Sequence, residues 1–360
     1  MTSPWTAPRQ NEQSAPEHSG TPSRPLPLQG DVWRRIQEAE GHQVLRGRGS
    51  GWSAQAIVEQ RGLGRYLYVP YGPVACDDIT FNQAIDWLVS RARDTGSWFL
   101  RVEPPSPSGW LEASTPEALS ARRAVLQRRG FRRAAQEVQP LRTRALDLSR
   151  SEDSLLQDMT GTNRTLHRST AKRGVTIEAS RAPEDVRHLQ RLVAATAERR
   201  GFRAHDDAHL ETMARTALPD DTGTLFLARK EDEVISAVLT IDDGSARLFV
   251  HGASDPRHRK ARAQQSLMVA AILDAREQGL EVADLFGIAP TDDPDHPWAG
   301  FTRYKASFGG HVLEHTGAWD LPLRPLPYRA LRVRQAVRGA HPLTRFLARF
   351  DAMRGGLRVG

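Results

Sequence analysis

The feature that most limits how this chain can fold is one pattern, strand, loop, helix, strand, written once in each half. The first copy opens with Arg65-Tyr66-Leu67-Tyr68-Val69-Pro70-Tyr71-Gly72, a strand that stops at glycine. Ile85, Leu88, Val89 and Ala92 then recur at spacings of three and four, which puts them on one helix face. Gly96 is a natural helix stop, and residues 98–102 form the next strand. The second copy opens with a strand at 246–252. Its helix carries Leu267, Met268, Ala271, Ile272 and Ala275, stops at Gly279, and leads into a strand at 280–285 followed by Phe286-Gly287. Two strands joined through a helix pair in parallel. Further strands at 53–59, 224–229 and 234–242 precede the two copies, and Asp243-Gly244 signals a hairpin turn. The pattern predicts an α/β protein with mixed sheets.

A chain of 360 residues can bury two cores. Lys and Arg number 50 against 43 Asp and Glu, a net charge of +7 carried mostly by arginine, and this balance favours phosphate-bearing partners. The single cysteine, Cys76, excludes an intrachain disulfide and reads as a small apolar residue at a strand end. Residues 1–25, rich in Ser, Pro, Gln and Glu, read as a disordered tail and not as a signal peptide. No run is apolar enough to span a bilayer. The expected location is cytoplasmic.

The densest chemistry lies in residues 300–310, where Arg303, Tyr304, Lys305 and Phe308 are set between glycines just after Asp284-Leu285-Phe286-Gly287. A lysine held by neighbouring rings can place fixed positive charge where a transition state develops negative charge. Glycines there would let the backbone approach a ligand. Two basic clusters suit a polyanion. Arg164, Arg168 and Lys172 are spaced by four, so a helix would gather these like charges on one face, which opposes its own stability unless a phosphate sits there. Arg257, Arg259 and Lys260 crowd the loop before the second repeat's helix. No metal is expected, because no Cys/His ligand spacing occurs, and the acidic loop at 292–296 reads as a loop. There is no Walker-type loop and no nucleophile elbow, so the chain needs an already activated donor.

The order of elements resembles the core of GNAT-type acyltransferases, written twice. The loop that cradles the acetyl-CoA pyrophosphate in those enzymes is glycine-rich, whereas here it is Asp255 to Arg262, without glycine and full of cations. From about Leu28 to Tyr328 the chain resembles the Fem (FemABX) family of aminoacyl-tRNA-dependent transferases that build peptidoglycan cross-bridges. The resemblance rests on Leu28-Gln29-Gly30-Asp31-Val32-Trp33, on Tyr68-Val69-Pro70-Tyr71-Gly72-Pro73-Val74, on Leu146-Asp147-Leu148-Ser149, and on the basic stretch ending Ala171-Lys172-Arg173-Gly174-Val175. Residues 284–288, 303–310 and 317–323 complete the ordered set.

The resemblance implies two tandem GNAT-like domains, here too short for a long coiled-coil arm. The expected divisions are a first, acceptor-side domain at 26–144, a second, aminoacyl-tRNA-side domain at 145–317, and a basic segment at 318–360 packed back on the first. It implies an aminoacyl-tRNA donor, no cofactor, and an amine acceptor, usually on a peptidoglycan precursor. A lipid-linked acceptor would bring the protein peripherally to the inner membrane face. Lys305 matches the family's lysine that meets the aminoacyl ester. Acceptor binding would fall to Trp33, Arg34, Arg35, Tyr71, Gly72, Arg203 and His205, with Arg303, Tyr304 and Phe308 beside Lys305. The chain departs from the pattern at two places. Gln37 stands where precursor-binding members carry a phosphate-binding lysine, and His205 where they carry an arginine.

On this reading the acceptor amine attacks the ester, and Lys305 stabilises the oxyanion. Asp284, at a strand end beside it, is either a proton acceptor or a structural cap. Arg164, Arg168, Lys172, Arg257, Arg259 and Lys260 hold tRNA phosphates. Three alternatives stand beside it. One is a tRNA-dependent amide synthesis on a small natural-product acceptor, one an acetyl-CoA-dependent N-acyltransferase, and one an RNA-binding module without catalysis.

Overall fold

The computed structural model describes residues 27–61, 64–200 and 207–339. The tail at 1–25, Arg203, His205 and everything after 339 lie outside the described residues. In chain order the first half holds α1 (Asp31–Ala39), β1 (Gln43–Gly49), β2 (Trp52–Arg61), β3 (Gly64–Val69), β4 (Val74–Ala75), α2 (Asp78–Asp94), β5 (Phe99–Val102), α3 (Pro116–Arg128) and β6 (Arg132–Arg133). The second half holds β7 (Arg142–Asp147), α4 (Glu152–Asp158), α5 (Gly161–Arg168), β8 (Val175–Ser180), α6 (Val186–Arg200), α7 (Asp207–Ala217), β9 (Gly223–Lys230), β10 (Glu233–Asp243), β11 (Ala246–Ser254), α8 (Ala263–Glu277), β12 (Val282–Gly287), α9 (Ala299–Ala306) and β13 (His311–Glu314). β14 (Trp319–Pro322) and α10 (Pro325–Gly339) complete the described chain.

These elements build two mixed sheets. The first runs β1-β2-β3-β5-β14-β6, with β4 paired to β2. The second runs β13-β7-β12-β11-β10-β9-β8. The repeat is real in three dimensions. β3 pairs with β5 in parallel across α2, and β11 with β12 in parallel across α8. α2 starts cleanly because the Asp77 carboxylate accepts the Thr80 N–H at 2.7 Å while the Thr80 hydroxyl takes the Asp77 N–H at 3.2 Å. It buries Phe81, Ala84, Ile85, Leu88 and Ala92, most of the face its spacing predicts, with Val89 only half-buried. α8 likewise buries Leu267, Met268, Ala271, Ile272 and Ala275.

Several boundaries differ from the sequence reading, each for a physical reason. The expected division between Arg144 and Ala145 falls inside β7, a continuous strand of the second sheet. α1 is shared between the halves: Trp33 packs on the first sheet and Asp31 pairs with Arg46 of β1, while Val32 and Ile36 enter the core built by Leu210, Met213, Leu225 and Leu239 of the second half. Burying two such side chains contributes about 1.5–3 kcal/mol each, which outweighs nearness in sequence. The hairpin turn is Gly244-Ser245, since Asp243 still pairs with Ala246. The Asp243 carboxylate is used elsewhere. It accepts the Val32 N–H at 2.9 Å at the start of α1, beneath a Gly30 whose missing Cβ leaves the carboxylate its place. Cys76 is exposed, not buried, because β4 ends at the residue before it.

Candidate active site

Lys305 and Asp284 meet where the second parallel pair comes apart. β11 and β12 pair only over Ala246–Leu248 and Val282–Asp284, after which β11 runs on to Ser254 and β12 bends through a bulge to Gly287. Crevices at the carboxyl ends of parallel strands are common ligand sites. At the bulge Phe286 takes a positive φ of 65°, and the Asp284 carboxylate accepts its N–H at 2.7 Å. One oxygen of Asp284 is therefore a cap. The other, Oδ2, is buried with no hydrogen-bond partner. Burial pushes this carboxyl up to about 7, against the pull of the Phe286 N–H, the Lys305 charge and the Thr143 hydroxyl.

The bulge also aims the Gly287 carbonyl at the Lys305 ammonium, which donates to it at 2.7 Å from α9. Phe301, one turn earlier, lays its ring 4.2 Å from the same nitrogen. Lys305 is only 6% exposed, whereas Phe301 is 49% exposed. The amine thus lies one aromatic ring below the surface. Burial lowers its pKa to about 7, and the nearby Asp284 charge limits the fall. An ammonium has three N–H donors. One is taken by Gly287, which leaves two for a substrate oxygen.

A second layer comes from strands far apart in sequence. Thr143 on β7 lies between Asp284 and His315, its hydroxyl 3.5 Å from His315 Nε2. Burial lowers the His315 imidazole to about 3, so it is neutral, and its Nδ1 has no partner. The ring lies 4.3 Å from that of Tyr71, centroid to centroid. Sequence reasoning missed Phe301, Thr143 and His315 as contributors. Phe301 lay within the run it singled out. The other two carry no local signal, because only the pairing of β7 with β12 and β13 brings them in.

The remaining candidates divide into groups. Tyr304 packs edge-on against Phe308 at 5.2 Å, and Phe308 is core with no open face. Arg303 is exposed beside them. Tyr71 and Gly72 are buried, Tyr71 donating its hydroxyl to the Pro140 carbonyl at 3.0 Å. Trp33 is wedged between two cores with its Nε1 buried and unpartnered. Arg34 pairs with Asp31 and Glu38, Arg35 with Asp220 and Thr222, and Gln37 donates to Glu40 at 3.0 Å. The glycines at 309 and 310 serve the fold and not a ligand. Gly310, at φ 72°, lies where a Cβ would meet the Ala145 carbonyl at 2.2 Å, and Arg144 binds both glycine carbonyls at 2.7 Å.

The two basic clusters are brought together, though not as one helix face. α5 ends at Arg168 and Lys172 sits on a separate 3-10 turn. Arg164 turns inward to the carbonyls of Leu156, Gln157 and Met159. Arg257 is held by Asp255 and Glu233. Those two acids with His258 are the one group among the described residues that could gather metal-ligand atoms, and both acids already pair with Arg257 and Arg191. Arg168, Lys172, Arg259 and Lys260 are exposed. Arg173 joins their two segments by donating to Leu166 O at 2.8 Å, to Ser266 Oγ at 2.7 Å and to the Ala261 carbonyl.

Two parallel-paired repeats, each a strand–helix–strand core in a mixed sheet, define the class: a tandem GNAT-like α/β protein, with no long helical arm among the described residues. A crystal structure of FemX superposes with a TM-score of 0.72 at 19% identity, over 84% of this chain and 94% of that one. The C-terminal DUF2156 domain of a putative lysylphosphatidylglycerol synthetase from Agrobacterium fabrum superposes at 0.54 and 15% identity, over 86% and 93%. The FemAB family profile matches residues 220–335, the stretch that contains Asp284 and Lys305. The lipid II:glycine glycyltransferase of Staphylococcus saprophyticus is 22% identical over 84% of this chain and 91% of that protein. The enzyme of the same name from Staphylococcus epidermidis is 21% identical over 79% and 88%. Over residues 220–335 the chain is thus similar to the FemAB family, and over most of its length to lipid II:glycine glycyltransferases and, in fold, to FemX.

Proposed function

We propose that this protein is an aminoacyltransferase that moves an amino acid from aminoacyl-tRNA to an amine of a peptidoglycan precursor. The observation that carries this is the buried Lys305 ammonium, with two N–H groups unassigned, in a chain whose relatives transfer glycine to lipid II. The acceptor amine, arriving neutral, attacks the ester carbonyl carbon. A C–N bond forms, the carbonyl electrons move to oxygen, and Lys305 meets that oxyanion. Collapse expels the ribose oxygen of the tRNA, and the amine's proton leaves through that oxygen or through Asp284. Arg168, Lys172, Arg259 and Lys260 supply cations for tRNA phosphates. The test is transfer from radiolabelled aminoacyl-tRNA to lipid-linked precursor. Lys305→Ala is expected to lose about 10²–10³ in rate; undiminished transfer would remove the lysine from the mechanism.

One observation favours a second reading, in which the donor is the same and the acceptor is a small amine without a diphosphate. Arg34 and Arg35 are held in ion pairs, and Gln37 is buried, so the first half offers no free cation on α1 for a diphosphate. Competition of transfer by free UDP-linked precursor separates the two readings.

A further inference from the structure

α10 covers one face of the first sheet. Tyr328 and Leu331 pack there against Ile57, Tyr66, Tyr68 and Phe99, and the Tyr328 hydroxyl donates to buried Asp320 at 3.0 Å. The opposite face of the helix is apolar and basic at once. Leu326 is 77% exposed and Val333 64% exposed, on a stripe with Ala330 at spacings of four and three. Arg329 and Arg334 flank that stripe, are exposed, and have no ion-pair partner among the described residues. The helix contains no acidic residue. The sequence beyond it adds Arg345, Arg349, Arg354 and Arg358 against the single acid Asp351.

We infer that this face of α10 docks on an anionic bilayer surface, Leu326 and Val333 entering the headgroup boundary while Arg329 and Arg334 meet lipid phosphates. Charge complementarity argues for this occupant, since unpaired guanidinium groups on a helix without acids suit a phosphate plane. The apolar pair argues for lipid over RNA. Water-exposed leucine and valine gain nothing from a phosphate backbone, but gain from burial among acyl chains. No helix among the described residues is long and apolar enough to cross a membrane, so the attachment is peripheral. Two apolar side chains and a few arginines give weak, reversible binding. The inference goes beyond the proposed transfer and needs none of its chemistry.

The test uses the full chain and co-sedimentation with vesicles of equal parts phosphatidylglycerol and phosphatidylcholine, or of phosphatidylcholine alone. Binding is expected to the first and not to the second. Arg329→Ala with Arg334→Ala is expected to weaken it about twenty-five-fold, from roughly a fivefold loss at each arginine. Leu326→Asp with Val333→Asp is expected to abolish it. All four side chains point to solvent, so the thermal midpoint of each variant stays at the wild-type value. As a readout that needs no destabilising change, Leu326→Trp is expected to shift its emission to the blue on anionic vesicles. Wild-type indifference to lipid charge overturns the inference. So does wild-type vesicle affinity in the aspartate variant, and so does a selective loss of tRNA binding, which would assign the face to RNA. Failure of transfer activity leaves these binding results standing, and transfer to a lipid-free acceptor is expected to be the same in all the variants.

Discussion

At the scale of residues, the site is governed by what burial does to two ionisable groups of opposite sign. Asp284 and Lys305 are both brought to about 7, from opposite directions. Oxyanion stabilisation needs Lys305 charged. Its charged fraction falls as pH rises through about 7, so the single-turnover transfer rate is expected to fall there. Asp284→Asn removes the negative neighbour that supports the ammonium, so the falling limb is expected to move to lower pH, as a pH–rate profile would show. An unmoved limb would mean that Asp284 does not act on Lys305. Lys305→Met also removes a desolvated charge. It is expected to abolish transfer while leaving the thermal midpoint near neutral pH unchanged or higher, the signature of a group kept for function at some cost to stability. Lys305 was legible in the sequence, as a lysine among aromatic rings and glycines. Its burial beneath Phe301 was not, because nothing in the order of residues states which ring lies over which amine.

At the scale of elements, the basic surface depends on how short segments are pinned. Reading Arg164, Arg168 and Lys172 as one helix face failed at both ends. Carbonyls freed by the break between α4 and α5 attracted Arg164, and α5 stopped before Lys172. What brings the free cations together is Arg173, which ties the turn after α5 to the turn before α8. Converting Arg168, Lys172, Arg259 and Lys260 to Ala together is expected to weaken tRNA binding. It is also expected to flatten the dependence on log salt by about one unit for each phosphate no longer neutralised. An unchanged salt slope would remove this surface from tRNA binding. Arg173→Ala, by contrast, is expected to lower the thermal midpoint, since it leaves three acceptors without their shared donor.

At the scale of the whole molecule, β14 returns the chain from the second sheet to the first, between β5 and β6. It is locked there by Arg101 and Asp320, both buried, which form a two-bond pair at 2.7 and 2.8 Å. Arg101→Ala leaves Asp320 as a buried, uncompensated charge and is expected to cost about 3–5 kcal/mol. Urea unfolding followed by circular dichroism measures this, and Arg101→Met with Asp320→Leu is expected to recover most of the loss. The doubled strand–helix–strand order, the apolar faces of α2 and α8, and the segment carrying Lys305 were determined by the sequence itself. Periodicity and glycine stops are local properties that the chain carries before it folds. What α1 packs against in the second half, where β7 begins, why Arg35 is held by Asp220, and which groups lie behind Asp284 were decided only by tertiary structure. Each of those depends on a partner tens to hundreds of residues away, and burial and charge act through distance in space, which residue order does not encode.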